Sequence, residues 1–388
     1  MSIVLFDNTD RKKLYPLNNC CAVASLRIGI LTIKERWEQI INEAVYVHTE
    51  HYLSVLYASI PMGQHLWIDA AVLPDKDLVD RLLVLEEGQA LADENGLIGG
   101  RKNFASDNFS PAGTLQYFET IFEYDAVKRL EYPWHFFQYN DEVLRSDFEM
   151  IIAKRQSQPL PLNNQYISPE NIFVEEGAQV YASIINASTG PIYIGKNSTI
   201  LEGVTIRGPF ALCEGATVKM GAKIYGATTA GPYCVIGGEI KNVVMQGYSN
   251  KAHDGYLGDS VIGNWCNFGA GTSNSNVKNT GGMVKMYSAY AKTEIPVAVK
   301  CGVVMGDYSR TSINSSINTG TVVGTCCNVF GEGLLPKYIA DFNWGAEGIT
   351  KYKLDKAIQD IENWKKMKGH SLNDAEIKVL KHIFDQNF

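Results

Sequence analysis

His253 is the side chain of this sequence best suited to moving a proton. An imidazole titrates near neutral pH and can act as a base under ordinary conditions. The chain has seven histidines. Six of them (His48, His51, His65, His135, His370 and His382) lie outside the stretch from Asn171 to Gly331, which leaves His253 alone within it. Lys241, Tyr256, Asn267 and Asn276 stand in the same stretch, polar groups of the kind that position a substrate. The chemistry on offer is proton transfer with a bound polar molecule. A second reading stays open, in which His253 is a loop histidine satisfied by the neighbouring Asp254.

The elements that must position these residues follow from a period of six. Counting from Ile194 gives Ile194, Ile200, Ile206, Leu212, Val218 and Ile224 without a break. The fifth place of each hexad is small or apolar: Ser198, Val204, Phe210, Ala216, Ala222 and Thr228. The count returns at Met305, Thr311, Ile317, Val323 and Val329, where Thr311 is the weakest member. Helices repeat near 3.6 and strands near 2, so neither explains a strict six. A hexapeptide repeat does, each hexad forming one flat face of a parallel β-helix coil. Three hexads close a triangular turn, stacked at about 4.8 Å, and no repeat can bury its apolar face alone. Gly195, Gly203, Gly208, Gly215, Gly221 and Gly226 fall near the expected corners, where glycine accepts angles that other residues resist. Gly247–Asn279 reads as an interruption of the hexads, and it carries His253.

Composition narrows the function. The chain has 388 residues, 45% hydrophobic and 20% charged, with net charge −7. That length favours more than one domain, and the charge offers no broad basic field for nucleic acid. No apolar run reaches the length of a membrane span, and MSIVLFDNTD reads as a first strand and not a signal peptide, so the expected location is cytoplasmic. The eight cysteines include the vicinal pairs Cys20-Cys21 and Cys326-Cys327 and fit no disulfide framework, and most of them read as small buried thiols. A carbonic anhydrase built on the same repeat needs three zinc histidines, and the repeat region has one.

Three segments are expected. Residues 1–160 read as an α/β domain, with strands at Ile3–Phe6, Val45–His48, His65–Val72 and Leu97–Gly100. Helices are expected at Glu35–Ala44, after a cap at Asp75 or Asp77, and within Glu131–Ile152. The Pro- and Asn-rich Gln156–Gln165 then marks a linker. Residues 165–335 form the coil. Residues 350–388 form a helical tail that stops near Gly369 and restarts with Ser371 as N-cap.

The order of residues around His253 resembles a known family. His253, Tyr256-Leu257-Gly258-Asp259, Ile262-Gly263, Asn267-Phe268-Gly269-Ala270-Gly271-Thr272 and Asn276 match the acetyltransferase half of the bifunctional bacterial enzyme that makes UDP-N-acetylglucosamine. Phrases such as GPIYIG, MGAKIYG, SNKAHDG and NTGTVVG resemble a divergent branch of it. The resemblance implies a left-handed β-helix and an acetyl-CoA-dependent N-acetyltransferase acting on an amino-sugar phosphate of the glucosamine-1-phosphate class. It further implies His253 as general base and the Ala270 backbone N–H as donor to the thioester oxygen. Lys241 falls at the spacing of the family's sugar-phosphate lysine, with Tyr256, Asn267 and Asn276 as substrate contacts and Asp307 and Thr325 near coenzyme A. A homotrimer is implied too, because the acyl groove of one coil needs a neighbour. The family has a tyrosine after its matched asparagine, where this chain has Val277.

The first domain resembles sugar-1-phosphate nucleotidyltransferases more weakly. These begin with a strand and a Gly-rich loop that cradles a triphosphate. Here Ile3–Phe6 leads into Asp7-Asn8-Thr9-Asp10-Arg11, with two acids and no glycine. The resemblance implies Arg11 and Arg27 near a nucleotide such as UTP, and Asp69 and Asn140 as magnesium positions. Two alternatives to acetyl transfer remain open: nucleotidyl transfer alone, and a sugar-nucleotide-binding pseudoenzyme whose coil is an assembly scaffold.

Overall fold

A computed structural model describes residues 2–103, 108–125, 127–347 and 350–386. The chain divides into two compact units. Residues 1–14, 20–26 and 31–132 make the first, and residues 15–19, 27–30 and 133–388 the second. The division therefore differs from a single cut near residue 160. The helix His135–Ile152 groups with the coil, because its buried Asn140 and Asp147 bind coil and segment backbone there.

The first unit is built on a mixed sheet. Its strands are β1 (Ser2–Phe6), β2 (Val45–His48), β3 (Gln64–Asp69), β4 (Gln89–Asp93), β5 (Gly96–Asn103) and β6 (Thr120–Glu123), in the spatial order β2–β1–β3–β5–β4–β6. β1 runs parallel to β2 and β3, whereas β5 is antiparallel to β3 and β4. Ile3 to Phe6 are all buried, as a central strand covered on both faces requires. Helix α1 (Ile33–Ile41) starts at Thr32 with a capping box to Glu35. Helix α2 (Lys76–Leu83) starts at Asp75, whose carboxylate accepts from the Leu78 N–H at 2.9 Å. β4 and β6 have no counterpart among the sequence expectations.

The second unit is a left-handed parallel β-helix of about ten turns with C-terminal helices. Every residue of the first six-count is buried, and so is each of its fifth places. Register explains why. Val174, Ile194, Leu212 and Ala230 stack in one column that continues through Met245, Ile262, Met305, Val323 and Ile339. A second column runs Val180, Ile200, Val218, Ile236 and Lys251.

The expected interruption at Gly247–Asn279 is corrected. Strand Tyr256–Asn264 pairs in register with Glu239–Gly247, so that stretch is regular coil. The hexad phase is lost because the coil shortens between Ala230 and Met245. The true insertion follows Asn276. Val284–Ser288 and Thr293–Ala298 form an antiparallel hairpin, and Cys301 N–H closes its base onto the Asn276 carbonyl at 2.8 Å.

One edge of the coil has Tyr233, Tyr248, Trp265, Tyr308, Cys326 and Phe342 at positive φ, an angle that sequence reasoning reserved for glycine and asparagine. Stacking accompanies that backbone: Tyr233 on Tyr248 at 5.1 Å and Tyr248 on Trp265 at 4.3 Å. Helices α4 (Leu354–Met367) and α5 (Asp374–Gln386) pack along this edge, with α3 (His135–Ile152) elsewhere on the coil. Lys368 Nζ donates to the Tyr233 and Tyr248 carbonyls at 2.8 and 3.0 Å. The N-cap of α5 is Asn373 and not Ser371: Asn373 Oδ1 accepts from Glu376 N–H at 2.8 Å, and Glu376 answers at 3.0 Å.

Candidate active site

His253 sits on a corner of the coil, between strands Asn250–Lys251 and Tyr256–Asn264, with an exposed side chain. Gly238 lies beneath it at positive φ, where a Cβ would come within 2.8 Å of the His253 carbonyl oxygen, so only glycine lets the corner close. In the coil above, Asn267 bridges to Asn250 and the Gly271 N–H donates to the Asp254 carbonyl, which puts Ala270 at the register of His253. Among the described residues, neither the His253 ring nor the Ala270 N–H has a hydrogen-bond partner. The alternative, an imidazole satisfied by Asp254, is absent from this structure. An exposed imidazole and a backbone donor thus share one corner of successive coils.

The adjoining face carries the polar cluster. Lys241 pairs with Tyr225 below and Gly258 above, and Glu239 pairs with Tyr256. Asn276 Nδ2 donates to the Tyr256 hydroxyl at 3.0 Å and to the Asp259 carboxylate, whose other oxygen accepts from Asn242 at 2.8 Å. Burial, reinforced by Asp259, pushes the Tyr256 phenol far up, so it keeps its proton and remains a donor. Tyr225 donates to Glu239 at 2.6 Å, and this bond pushes it up to about 12. The face continues into a groove of about 570 Å³ lined by Thr205, Arg207, Lys223 and Tyr225, with Asp141 of α3 on its rim. Sequence reasoning missed Tyr225, Glu239 and Asn242. Register supplies the signal, since Tyr225 and Glu239 pair with Lys241 and Tyr256.

Other expected residues lie apart. Asn267 is on the opposite flank of the corner, beside Asn250, which Lys368 holds at 2.9 Å. Asp307 and Thr325, expected near coenzyme A, are buried in one column with Asn264 and Asp341. Asp307 accepts from the Asn264 N–H at 2.6 Å, and Asn19 covers Thr325 Oγ1 at 3.2 Å. With 4% and 0% of their surface exposed, neither reaches a ligand. Burial raises the Asp307 carboxyl to about 7 against the opposing Asn264 bonds.

The first unit has a crevice of about 510 Å³ at the C-terminal ends of β1 and β3, lined by Asn8, Asp69, Asn95, Pro111 and Thr114 among others. Ligands of open α/β sheets bind at this end. Arg11 Nε meets Asp7 at 2.9 Å, and Asp7 also accepts from Thr49 at 2.6 Å. Asp69 is ion-paired to Arg129 and accepts from Asn8 at 2.8 Å; burial raises its carboxyl and Arg129 opposes the rise.

Arg27 and Asn140 belong to the second unit. The Arg27 backbone is clamped by Gln246 at 2.6 and 2.9 Å. Asn140 Oδ1 accepts from Gly29 N–H at 2.8 Å, and its Nδ2 donates to the Ala227 carbonyl at 2.9 Å. Asp69 and Asn140, the expected magnesium positions, belong to different units, and each is engaged in the bonds given above. Among the described residues no group of three or more His, Cys, Asp or Glu is arranged to hold a metal ion, and no helix is long and apolar enough to cross a membrane.

Comparison with known proteins adds to this geometry. A family model described as sugar nucleotidyl transferase matches residues 3–156. The bifunctional protein GlmU of Synechococcus elongatus is 26% identical over 250 residues, covering 58% of this chain and 49% of the relative. The protein of the same name from Methanocaldococcus jannaschii is 30% identical over 132 residues, covering 34% of this chain and 30% of the relative. At best, then, the chain spans about half the length of these relatives. Among solved structures, the polySia-specific acetyltransferase NeuO aligns with 55% of this chain and 96% of its own, at 14% identity and a TM-score of 0.29.

Proposed function

Since the chain belongs to a divergent GlmU-like family, we propose that it is an acetyl-CoA-dependent N-acetyltransferase acting on an amino-sugar phosphate of the glucosamine-1-phosphate class. The observation that carries this reading is the corner where the exposed His253 and the unengaged Ala270 N–H hold one register position in successive coils. His253 takes a proton from the attacking amine as its nitrogen bonds to the acetyl carbonyl carbon. The Ala270 N–H stabilises the oxyanion formed there. The C–S bond then breaks, coenzyme A leaves as thiolate and takes up a proton. Lys241 holds the phosphate as a point charge. Tyr256 and Asn276 hold the sugar, and Asn267 contributes from the other flank. The acyl groove is completed by a neighbouring copy in a homotrimer.

The test is thiol release from acetyl-CoA with glucosamine-1-phosphate, for wild type and His253→Ala. Removal of a general base costs on the order of 10²–10⁴-fold in rate. A loss of that size in a folded variant supports the reading, and an unchanged rate removes His253 from the mechanism. Binding without turnover in the wild type leaves the scaffold reading.

A second activity, sugar-1-phosphate nucleotidyl transfer, is favoured by the family match over residues 3–156 and by the crevice beside β1 and β3. Magnesium would supply charge neutralisation for UTP there. Asp69, ion-paired to Arg129, does not fit the role of its ligand as it stands. Pyrophosphate release from UTP and N-acetylglucosamine-1-phosphate by the full chain decides it.

A further inference from the structure

Lys251 occupies a place that the repeat reserves for an aliphatic side chain. It follows Val180, Ile200, Val218 and Ile236 in their column, each on the coil below the next. The Asn250–Asn267 bridge puts Phe268 after it in the coil above. Its neighbours in the column are fully apolar and buried, and only 1% of Lys251 is exposed. Taking an ammonium out of water into such a shaft is costly unless its protons find acceptors. They do. Nζ donates to the His253 carbonyl and reaches the Gly237 carbonyl at 3.4 Å. These two carbonyls belong to the same corner in successive coils, the corner that presents His253.

From this geometry we infer that Lys251 is a positioning residue, which pins the backbone of the His253 corner from inside the coil and so aims the imidazole. The inference rests on the proposed acetyl transfer and deepens it. A methionine would fill the shaft with no charge to desolvate, so packing gives no reason for a lysine at this place. The bond to the carbonyl of the proposed base gives one. Asp254 is the charged group that acts on the ammonium.

The experiment compares wild type, Lys251→Met and Lys251→Gln, each first shown to be folded by circular dichroism and thermal melting. Two readouts are taken. The first is thiol release with glucosamine-1-phosphate. Lys251→Met should lower kcat at least ten-fold while the acceptor KM stays within about two-fold, because aim is lost and binding is not. The second needs no turnover: the His253 ring signals in NMR, assigned by their loss in His253→Ala, should shift or broaden in Lys251→Met. Unmoved ring signals together with a kcat within two-fold of wild type overturn the inference. If wild type transfers no acetyl group, the functional reading fails and the ring signals alone judge Lys251. Lys251→Gln, which keeps a donor, should hold both readouts near wild type; if Lys251→Met does not fold, Lys251→Ile, which restores the column's usual aliphatic residue and has no donor, is judged by the same two criteria.

Discussion

The Asn276 amide donates to the Tyr256 hydroxyl at 3.0 Å while also binding the Asp259 carboxylate. The carboxylate fixes which way the amide points, so the Tyr256 oxygen is the acceptor of that bond. The phenol proton is left over, and burial holds it in place across the neutral range. Two residues read from sequence as substrate contacts are thus one hydrogen-bonded unit that retains the phenol proton as a donor.

Tyr256→Phe removes that donor and also the acceptor of the Asn276 amide bond. A neutral hydrogen bond is worth about 0.5–1.5 kcal/mol, or roughly two- to ten-fold in affinity. The acceptor KM should rise by that factor with a smaller change in kcat, measured by initial rates against glucosamine-1-phosphate. A change confined to kcat would assign Tyr256 to the chemical step.

The coil was legible because its physics is periodic. A residue such as Leu212 is specified by its place in a count of six, and burial follows from place alone. His253 was legible through a motif. Lys251 stood two residues from it and went unnoticed, because the count had already drifted where the coil shortens. Asp307 and Thr325 show the opposite error. Their types suit a ligand, but Asn19, far away in sequence, covers Thr325, and the stacked column buries both. Long-range cover of this kind leaves no local trace. The hairpin after Asn276 was missed for a related reason, since Val284 and Met286 are buried and alternate like any other strand.

The column through Ile262 should govern stability. Ile262 is fully buried, with Met245 below and Met305 above. Ile262→Ala should cost about 2–5 kcal/mol through lost burial and the cavity left behind. Ile313, 68% exposed at a corner, is the control, and Ile313→Ala should stay within about 0.5 kcal/mol. Urea unfolding midpoints check both. Equal effects would mean that the stacked columns are not the core.

Asp307→Asn separates a buried acid from a ligand contact. Burial raises the Asp307 carboxyl to about 7 from 3.8. Between those values the folded chain holds a proton that the unfolded chain has released, so rising pH weakens the fold across the window, and the full cost stands above pH 7. An amide carries no such charge and still accepts from Asn264. The variant should match wild type near pH 4 and exceed it near pH 8, by about 1–4 kcal/mol. The coenzyme A KM should not change. A raised KM would return Asp307 to the cofactor site.

Lys251 gives the reverse slope. Burial lowers its ammonium to about 8 from 10.5, with Asp254 opposing. From about pH 8 to pH 10.5 the unfolded chain keeps a proton that the folded chain has lost. Folding stability therefore rises with pH across that window, as the cost of a desolvated charge disappears. Lys251→Met has no charge to lose, and the other tyrosines and cysteines titrate alike in both chains. Measured by urea unfolding at pH 7.5 and pH 10, wild type should gain on the variant by on the order of 1 kcal/mol. A gap that does not move with pH would mean that the ammonium stays hydrated, and a hydrated lysine could not be the group that grips the corner of the coil beneath His253.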